Sequence, residues 1–425
     1  EAGVAEAGVA EAGMPVEPEL DAGVVEDAGG GDAGPPVAAR FCEGRRLELP
    51  EGACAAPRSD RFAITEDGAC FIDASCGLWC WGRNSRGVAA SGDYEMQLRP
   101  RRVPGEWVSV TGFFASGSGP DFGRFVGIDA QGRAFIWGDD IYWVFVPTSA
   151  TQPVRLGERS DWRAASTGSQ GMLLLDCDGR VYARGEDIFG TLGTGYEADG
   201  TCPIIPDEEA PNWADPTPLE LDQRFDALLP RLAQQACMQT GGELWCSGTY
   251  ERSFGGFEER RYCAYERLEG PAESWKGGVT MGLATCLVSE EGRLFCAGSL
   301  RSGMAGDGRR YFRTRRWYEN PDRGPWRVVS VGWDFVCGVK EEGTLWCWGA
   351  AEGGALGDPS IPAESAPRQV GERRDWEWVW SDRDQRTSCA LNASDELWCW
   401  GENGGLLGVG DVAPRPVPTR VVFAD

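Results

Sequence analysis

The chain has 425 residues, enough for several small domains or one large repeat domain. Its formal charge of −25 would repel a phosphate backbone, so nucleic acid is a poor partner and solubility is the plain role of the acid. It contains no His, which removes the commonest general base and metal ligand and makes Ser-His-Asp or Cys-His catalysis impossible.

Residues 1–40 differ in kind from the rest. They open on Glu1-Ala-Gly-Val-Ala, Glu6-Ala-Gly-Val-Ala and Glu11-Ala-Gly, and carry nine acidic residues against the single basic Arg40. With no aromatic residue and no Cys, the segment cannot bury enough apolar surface to offset its ordering entropy. We expect a disordered acidic tether over 1–40 and one folded domain over 41–425. Asp21-Ala-Gly, Asp27-Ala-Gly and Asp32-Ala-Gly resemble the spacers behind the lipidated Cys of bacterial surface lipoproteins. The chain begins at Glu1 without Met, so a processed form is expected. A lipid anchor upstream of Glu1 and plain secretion both fit. No apolar run of about 18 residues predicts a membrane span.

After residue 60 one phrase recurs, a short hydrophobic–aromatic strand closed by Gly. Its copies are Leu78-Trp-Cys-Trp-Gly82, Ala134-Phe-Ile-Trp-Gly138, Val181-Tyr-Ala-Arg-Gly185, Leu244-Trp-Cys-Ser-Gly248, Leu294-Phe-Cys-Ala-Gly298, Leu345-Trp-Cys-Trp-Gly349 and Leu397-Trp-Cys-Trp-Gly401. The closing glycines are 56, 47, 63, 50, 51 and 52 residues apart, and a period near fifty means a solenoid, propeller or array. An apolar run and a turn precede each copy. A Gly-rich loop, a Pro-containing segment and often a Trp-led strand follow it. That makes about four short strands per repeat, one propeller blade, with no helical period. The prediction is an all-β, seven-bladed β-propeller. Pro416-Val-Pro-Thr-Arg-Val-Val-Phe423 reads as the start of a repeat without its later part, and Arg61-Phe-Ala-Ile64 as the reverse. We therefore expect the ring to close by the C-terminal strand pairing into the first blade, which removes a sheet edge.

The pattern Cys-Ala-Leu…Gly-x-Leu-Trp-Cys-Trp-Gly-x-Asn-x-x-Gly-x-Leu-Gly resembles the RCC1 repeat over roughly residues 60–425, with its best copy at Cys389–Asp411. The resemblance implies a propeller that grips proteins by its loops and rims. Relatives include a chromatin-bound exchange factor for a small GTPase, ubiquitin-ligase modules and a secreted bacterial β-lactamase inhibitor. Many family copies carry a His before the Cys-Ala-Leu segment. Here the corresponding places hold residues such as Phe335 and Arg386, which leaves the exchange-factor role without support.

Sixteen Cys suit an oxidising compartment. Five repeats hold a pair: Cys70 with Cys80, Cys237 with Cys246, Cys286 with Cys296, Cys337 with Cys347, and Cys389 with Cys399. A three-residue hairpin loop at Glu341-Glu-Gly343 places Cys337 opposite Cys347, and a two-residue loop at Gly241-Gly242 places Cys237 opposite Cys246. Opposed strand residues are within disulfide reach. Zinc is the poorer alternative, because there is neither His nor Cys-x-x-Cys. Cys42 with Cys54 is a further expected bridge. Cys76, Cys177, Cys202 and Cys263 cannot be paired from sequence.

No catalytic residue, cofactor or metal site is predicted. Asp139-Asp140 and Glu341-Glu342 are ordinary in a chain with 66 acidic residues. Two stretches break the repeat and are candidate partner-binding residues: Tyr142, Trp143 and Phe145, which could instead face inward, and Arg309, Arg310, Tyr311, Arg313, Arg315, Arg316 and Trp317. Arg, Tyr and Trp are the anchors that interfaces prefer, although the arginines could instead pair with the chain's own carboxylates. The insertion from Ile188 to Leu232 is a third candidate. The expected function is an extracellular or cell-surface protein-binding module of adaptor or inhibitor type, monomeric, bacterial and without catalysis, whose protein partner is unidentified. The alternatives are a carboxylate-based lyase or glycan hydrolase in the propeller mouth, and a structural component of a surface assembly.

Overall fold

The computed structural model describes residues 58–115, 122–139, 150–168, 171–185, 193, 216–229, 235–249, 261–272, 274–281, 284–311, 314–350, 352–360, 363–382 and 386–423. Over these residues the chain forms seven four-stranded antiparallel sheets, each made of four consecutive strands. They are the seven blades of a β-propeller: blade 1 (62–103), blade 2 (107–156), blade 3 (162–218), blade 4 (227–267), blade 5 (275–319), blade 6 (326–369) and blade 7 (376–420). The recurring phrase is the third strand of every blade. In blades 1, 2, 3, 6 and 7 a Pro-containing segment is the outermost strand, where a residue without an N–H costs no ladder bond and protects an exposed edge.

Trp107, Trp162, Trp275, Trp326 and Trp376 open the first strands of blades 2, 3, 5, 6 and 7, and the pairing register slips at the residue after each of them. Such a bulge adds twist where the chain enters a blade. The second and third strands are joined by tight hairpins. Thr240 pairs with Glu243 across Gly241 and Gly242, whose φ values of 53° and 82° are the left-handed pair that a two-residue turn requires. The register places Cys70, Cys237, Cys286, Cys337 and Cys389 directly opposite Cys80, Cys246, Cys296, Cys347 and Cys399. All five pairs are disulfides, with Cα atoms 4.1–4.2 Å apart, the close spacing of a non-hydrogen-bonded strand pair. Cys76 and Cys177 are also disulfide-bonded. The expected Cys42–Cys54 bridge and the tether over 1–40 lie outside the described residues.

The ring does not close by a shared blade. The C-terminal strand Arg415–Arg420 pairs with Leu397–Gly401 of its own blade, with Trp398 opposite Arg420 and Gly401 opposite Arg415. Blade 1 is complete from residues 62–103. A cyclic repeat does not reveal its own phase: the Pro-containing strand reads as an opening strand, whereas the bulged Trp strand is the true start. Closure instead uses the contact that joins successive blades. Trp137, Trp348 and Trp400, each just before the closing Gly of a third strand, donate their indole N–H to the loop of the preceding blade. The acceptors are the carbonyls of Val88 at 2.9 Å, Met304 at 2.9 Å and Ala355 at 3.0 Å. Trp81 of blade 1 does the same to Leu406 of blade 7, at 2.7 Å. The loops also lean forward onto the next outer strand. Gly92 of blade 1 donates to Thr151 of blade 2, and Gly410 of blade 7 donates to Leu98 of blade 1, both at 2.9 Å.

Apolar and ionic contacts reinforce that last seam. Phe423 lies 5.4 Å from Phe71 and 5.5 Å from Trp79, and Phe62 lies 5.2 Å from Trp380. The buried Arg61 grips both carboxylate oxygens of Asp395 in blade 7 at 2.5 and 2.6 Å and donates to the carbonyl of Ile72 at 2.7 Å. Two parallel bonds to one carboxylate are the strong form of this pair.

Candidate functional site

Chain direction sorts the loops. Each blade runs up its first strand, down the second, up the third and down the outer strand. The Gly-rich loops after the third strands therefore share one face, called upper here, with the turns between first and second strands. The short hairpins and the links between blades occupy the lower face.

On the lower face the charged side chains satisfy one another. Asp73 accepts from Ser75 N, Gly77 N and Trp79 Nε1 at 2.8, 2.9 and 2.7 Å. Burial opposes its charge, but these hydrogen bonds outweigh it and hold the carboxyl below its usual range. Asp129 and Asp176 organise their hairpins in the same way, each accepting the backbone N–H groups two and four residues on. Arg163, Lys276 and Arg327 sit at the bulges after the opening Trp residues. Arg163 donates to the Phe225 and Asp226 carbonyls at 2.6 Å, while Lys276 and Arg327 share Glu341 at 2.8 and 3.1 Å. Glu342 accepts from Thr344, and on the upper face Asp139 pairs with Arg86 at 3.0 Å. The carboxylate pairs singled out in the sequence are thus occupied where they are described. Among the described residues no group of three or more Cys, Asp or Glu could hold a metal.

One carboxyl differs. Asp60, in the turn Arg58–Asp60 that enters blade 1, is pushed up to about 6 by burial, against the opposing pull of Ser59 and Arg163. Arg58 beside it pairs with Glu377 of blade 7. This turn therefore draws on blades 3 and 7 together.

On the upper face, blade 5 carries the basic stretch. Met304 and Ala305 are buried under the loop, whereas Arg301, Arg309 and Arg310 are exposed. Asp307 shapes the turn: it accepts from Arg309 N at 3.0 Å and from the Tyr311 hydroxyl at 2.6 Å. That second bond raises the Tyr311 phenol above its usual range. The Tyr311 ring lies 4.2 Å from the ring of Tyr318, and both pack against the core cluster of blades 5 and 6. Neither the Arg309 nor the Arg310 guanidinium is in an ion pair among the described residues. Arg316 is exposed on the outer strand. Trp317 turns the other way, 6.0 Å from Trp275, against the cluster of blades 4 and 5. The structure therefore brings Arg309, Arg310 and Tyr311 to one exposed corner and uses Trp317 for packing. Arg313 and the Tyr142, Trp143 and Phe145 stretch lie outside the described residues, as does most of the insertion, and nothing is described for the Arg315 side chain.

Other upper-face features escaped the sequence. Trp333, in the turn after the first strand of blade 6, is 44% exposed, and Tyr94, Met96 and Val412 are about half exposed in the loops of blades 1 and 7. None carries a repeat signal, so only the fold distinguishes them from core residues. No helix among the described residues is long and apolar enough to cross a membrane.

Comparison with known proteins agrees with this architecture. The family model for the regulator of chromosome condensation (RCC1) repeat matches residues 326–352, the first three strands of blade 6. The mitochondrial RCC1 domain-containing protein RUG3 of Arabidopsis thaliana is 23% identical over 396 residues, covering 80% of this chain and 81% of that protein. Human WBSCR16 superposes with a TM-score of 0.66 at 16% identity, covering 82% of this chain and 94% of that one. Prp20p of Saccharomyces cerevisiae, described with its binding to Gsp1p and histones, superposes with a TM-score of 0.60 at 16% identity, covering 76% and 80%. The five disulfides point to a compartment other than the cytosol. The chain is a seven-bladed β-propeller whose sixth blade matches the RCC1 repeat.

Proposed function

We propose that this propeller is a non-catalytic protein-binding module that works outside the cytosol, as a secreted or surface-held bacterial protein, and grips an acidic patch on its partner with the upper corner of blade 5. One observation carries the reading. In a chain of formal charge −25, Arg309 and Arg310 stand exposed without an ion-pair partner among the described residues, beside a tyrosine held by Asp307 and Tyr318. Other exposed arginines of the chain, such as Arg267 and Arg420, are paired with its own carboxylates, so two left without such a partner are open to an acidic surface, and Arg and Tyr on a rigid support are effective interface anchors. Prp20p, of the same fold, binds proteins, which supports the class of function and not the partner.

A carboxylate-based enzyme is the second reading, favoured by Asp60 alone. A carboxyl raised to about 6 suits general acid work. The other buried carboxylates described above are saturated by their own turns, which supports binding over catalysis.

The test is affinity capture from native envelope and secreted-protein extracts on the disulfide-intact chain, beside Arg309→Ser/Arg310→Ser. One protein retained stoichiometrically by the parent and lost by the variant is the expected result. Capture that is indifferent to both arginines would remove blade 5 as the site.

A further inference from the structure

Cys76 and Cys177 are disulfide-bonded, yet neither belongs to a hairpin pair. They lie in the lower-face hairpins of blades 1 and 3, with blade 2 between them, so each is bonded to some other cysteine. Beyond the five hairpin bridges, the chain has only Cys42, Cys54, Cys202 and Cys263 left to offer. Both positions depart from the repeat. The Cys76 carbonyl accepts at 2.8 Å from the Trp107 N–H that opens blade 2, and Cys76 has a φ of 63°. In blades 2 to 6 the same place is held by Gly132, Gly179, Gly242, Gly292 and Gly343, with φ of 74–82°. A cysteine kept in the left-handed region where the repeat uses glycine points to a function. Cys177 holds in blade 3 the place of Glu341 in blade 6: Cys177 N donates to the Asp161 carbonyl as Glu341 N donates to that of Pro325. Glu341 reaches inward to Arg327 of its own blade and Lys276 of the blade before. The same direction from Cys177 leads to Arg163 and the first strand of blade 2, where the turn Arg58–Asp60 is seated.

Cys202 and Cys263 belong to the other face. Cys202 is in the loop between Val181–Gly185 and Thr217–Pro218 of blade 3, and Cys263 is on the outer strand Arg261–Arg267 of blade 4. That loop leans forward like the others: a side chain at Gly193 would collide with the Tyr265 ring, two residues from Cys263. Cys202 and Cys263 therefore suit one another, which leaves Cys42 and Cys54 for Cys76 and Cys177. The turn Arg58–Asp60 supplies the geometry. The first strands of successive blades pack together along blades 1–4 and 5–7, and so surround the axis. Arg58 pairs with Glu377 at the foot of the blade 7 first strand, Asp60 faces Arg163 at the foot of that of blade 3, and the turn packs against that of blade 2. It thus lies across the lower mouth, and Cys54, four residues earlier, is within about 14 Å of Arg58. We propose that residues 41–57 cover the lower mouth of the propeller, bonded through Cys42 and Cys54 to Cys76 and Cys177. Each bridge forms by exchange with one external disulfide, which takes up the two electrons and two protons of the thiol pair and leaves as two thiols. With the lower mouth covered, the upper face is the one left open to a partner. The proposal does not depend on the blade 5 site.

The test is peptic digestion of the full, unreduced chain at low pH, where thiol–disulfide exchange is arrested, followed by mass spectrometry of the linked peptides. We expect peptides holding Cys42 and Cys54 joined to peptides holding Cys76 and Cys177, in either order, and Cys202 joined to Cys263. A Cys42–Cys54 bridge, or Cys76 or Cys177 joined to Cys202 or Cys263, would overturn the proposal. Limited trypsin digestion of the native chain then tests whether the bonded segment is seated. Cleavage after Arg45 and Arg46 should be at least tenfold slower than after Arg40, and equal initial rates would overturn the covering of the mouth. Cys76→Gly/Cys177→Ala borrows the residues that other blades hold at these places, Gly132 for the first and Ala130 and Ala393 for the second, so the blades keep their hairpins. In this variant cleavage after Arg45 and Arg46 should speed up at least tenfold; an unchanged rate would show that the two bridges do not hold the segment, and would overturn their role.

Discussion

Replacing Trp81 by Phe tests how the ring closes. Trp81 is fully buried, and its Nε1 donates to the Leu406 carbonyl across the seam between the first and last blades. Phe keeps an aromatic ring but leaves that buried carbonyl without its donor, a loss of about 1–3 kcal/mol. The space vacated by the larger ring adds a cavity cost, so the total is about 2–4 kcal/mol, below the 3–5 typical of truncating Trp to Ala. Trp400→Phe breaks the equivalent bond to Ala355 between blades 6 and 7, whose chain connection is direct. If closure is one more copy of the ordinary seam, the two variants should lose similar stability. Guanidinium unfolding of the disulfide-intact proteins, followed by far-ultraviolet circular dichroism, measures both. A cost under about 1 kcal/mol for Trp81→Phe beside the full cost for Trp400→Phe would refute the reasoning and imply a different clasp.

Asp60 makes stability depend on pH. Its carboxyl, raised from the ordinary 3.8 to about 6, binds its proton more tightly folded than unfolded, so folded stability falls as pH rises through that window. Asp60→Asn should therefore stabilise the chain by up to about 3 kcal/mol at pH 7.5 and do nothing near pH 3.5; equal effects at both would contradict the burial argument. Gly408 has a φ of 69°, and a Cβ there would lie 2.9 Å from the Trp81 ring, so Gly408→Ala should cost at least about 2 kcal/mol in chemical unfolding. At the matching place in blade 1, Ala90 already has a φ of 54°, and Ala90→Gly should be neutral or stabilising by up to about 1 kcal/mol. Cys337→Ser/Cys347→Ser opens a ring of about ten residues; the loop model allows about 2–3 kcal/mol, and a hairpin already set by its turn should lose less than 2.

The sequence makes the repeat legible because each third strand needs the same alternation and the same closing Gly. It makes the disulfide register legible because hairpin length alone decides which Cys faces which. Ring closure is not legible in the sequence: Pro416 and Pro418 mark an outer strand, and nothing local distinguishes an outer strand from an opening one. The second Trp of Leu-Trp-Cys-Trp-Gly reads as a core residue, and its hydrogen bond to the neighbouring blade emerges only once two repeats are side by side. The arginines of blade 5 were visible as a basic run. Which of them reach solvent depends on the turn that Asp307 shapes and on alternation in the strand from Thr314, in which Trp317 packs inward. Tyr94, Met96 and Val412 are exposed on blades 1 and 7, whose loop and outer strand are joined by the bond from Gly410 to Leu98 although they lie more than 300 residues apart in the chain, beyond any periodic signal.

The binding account is tested most directly by titrating the captured partner into the parent chain and into Arg309→Ser/Arg310→Ser by calorimetry, at 50 and 200 mM salt. The account predicts affinity at least tenfold weaker in the variant and a shallower dependence on salt, because two charge-bearing anchors are gone. Unchanged affinity and an unchanged salt dependence would contradict it.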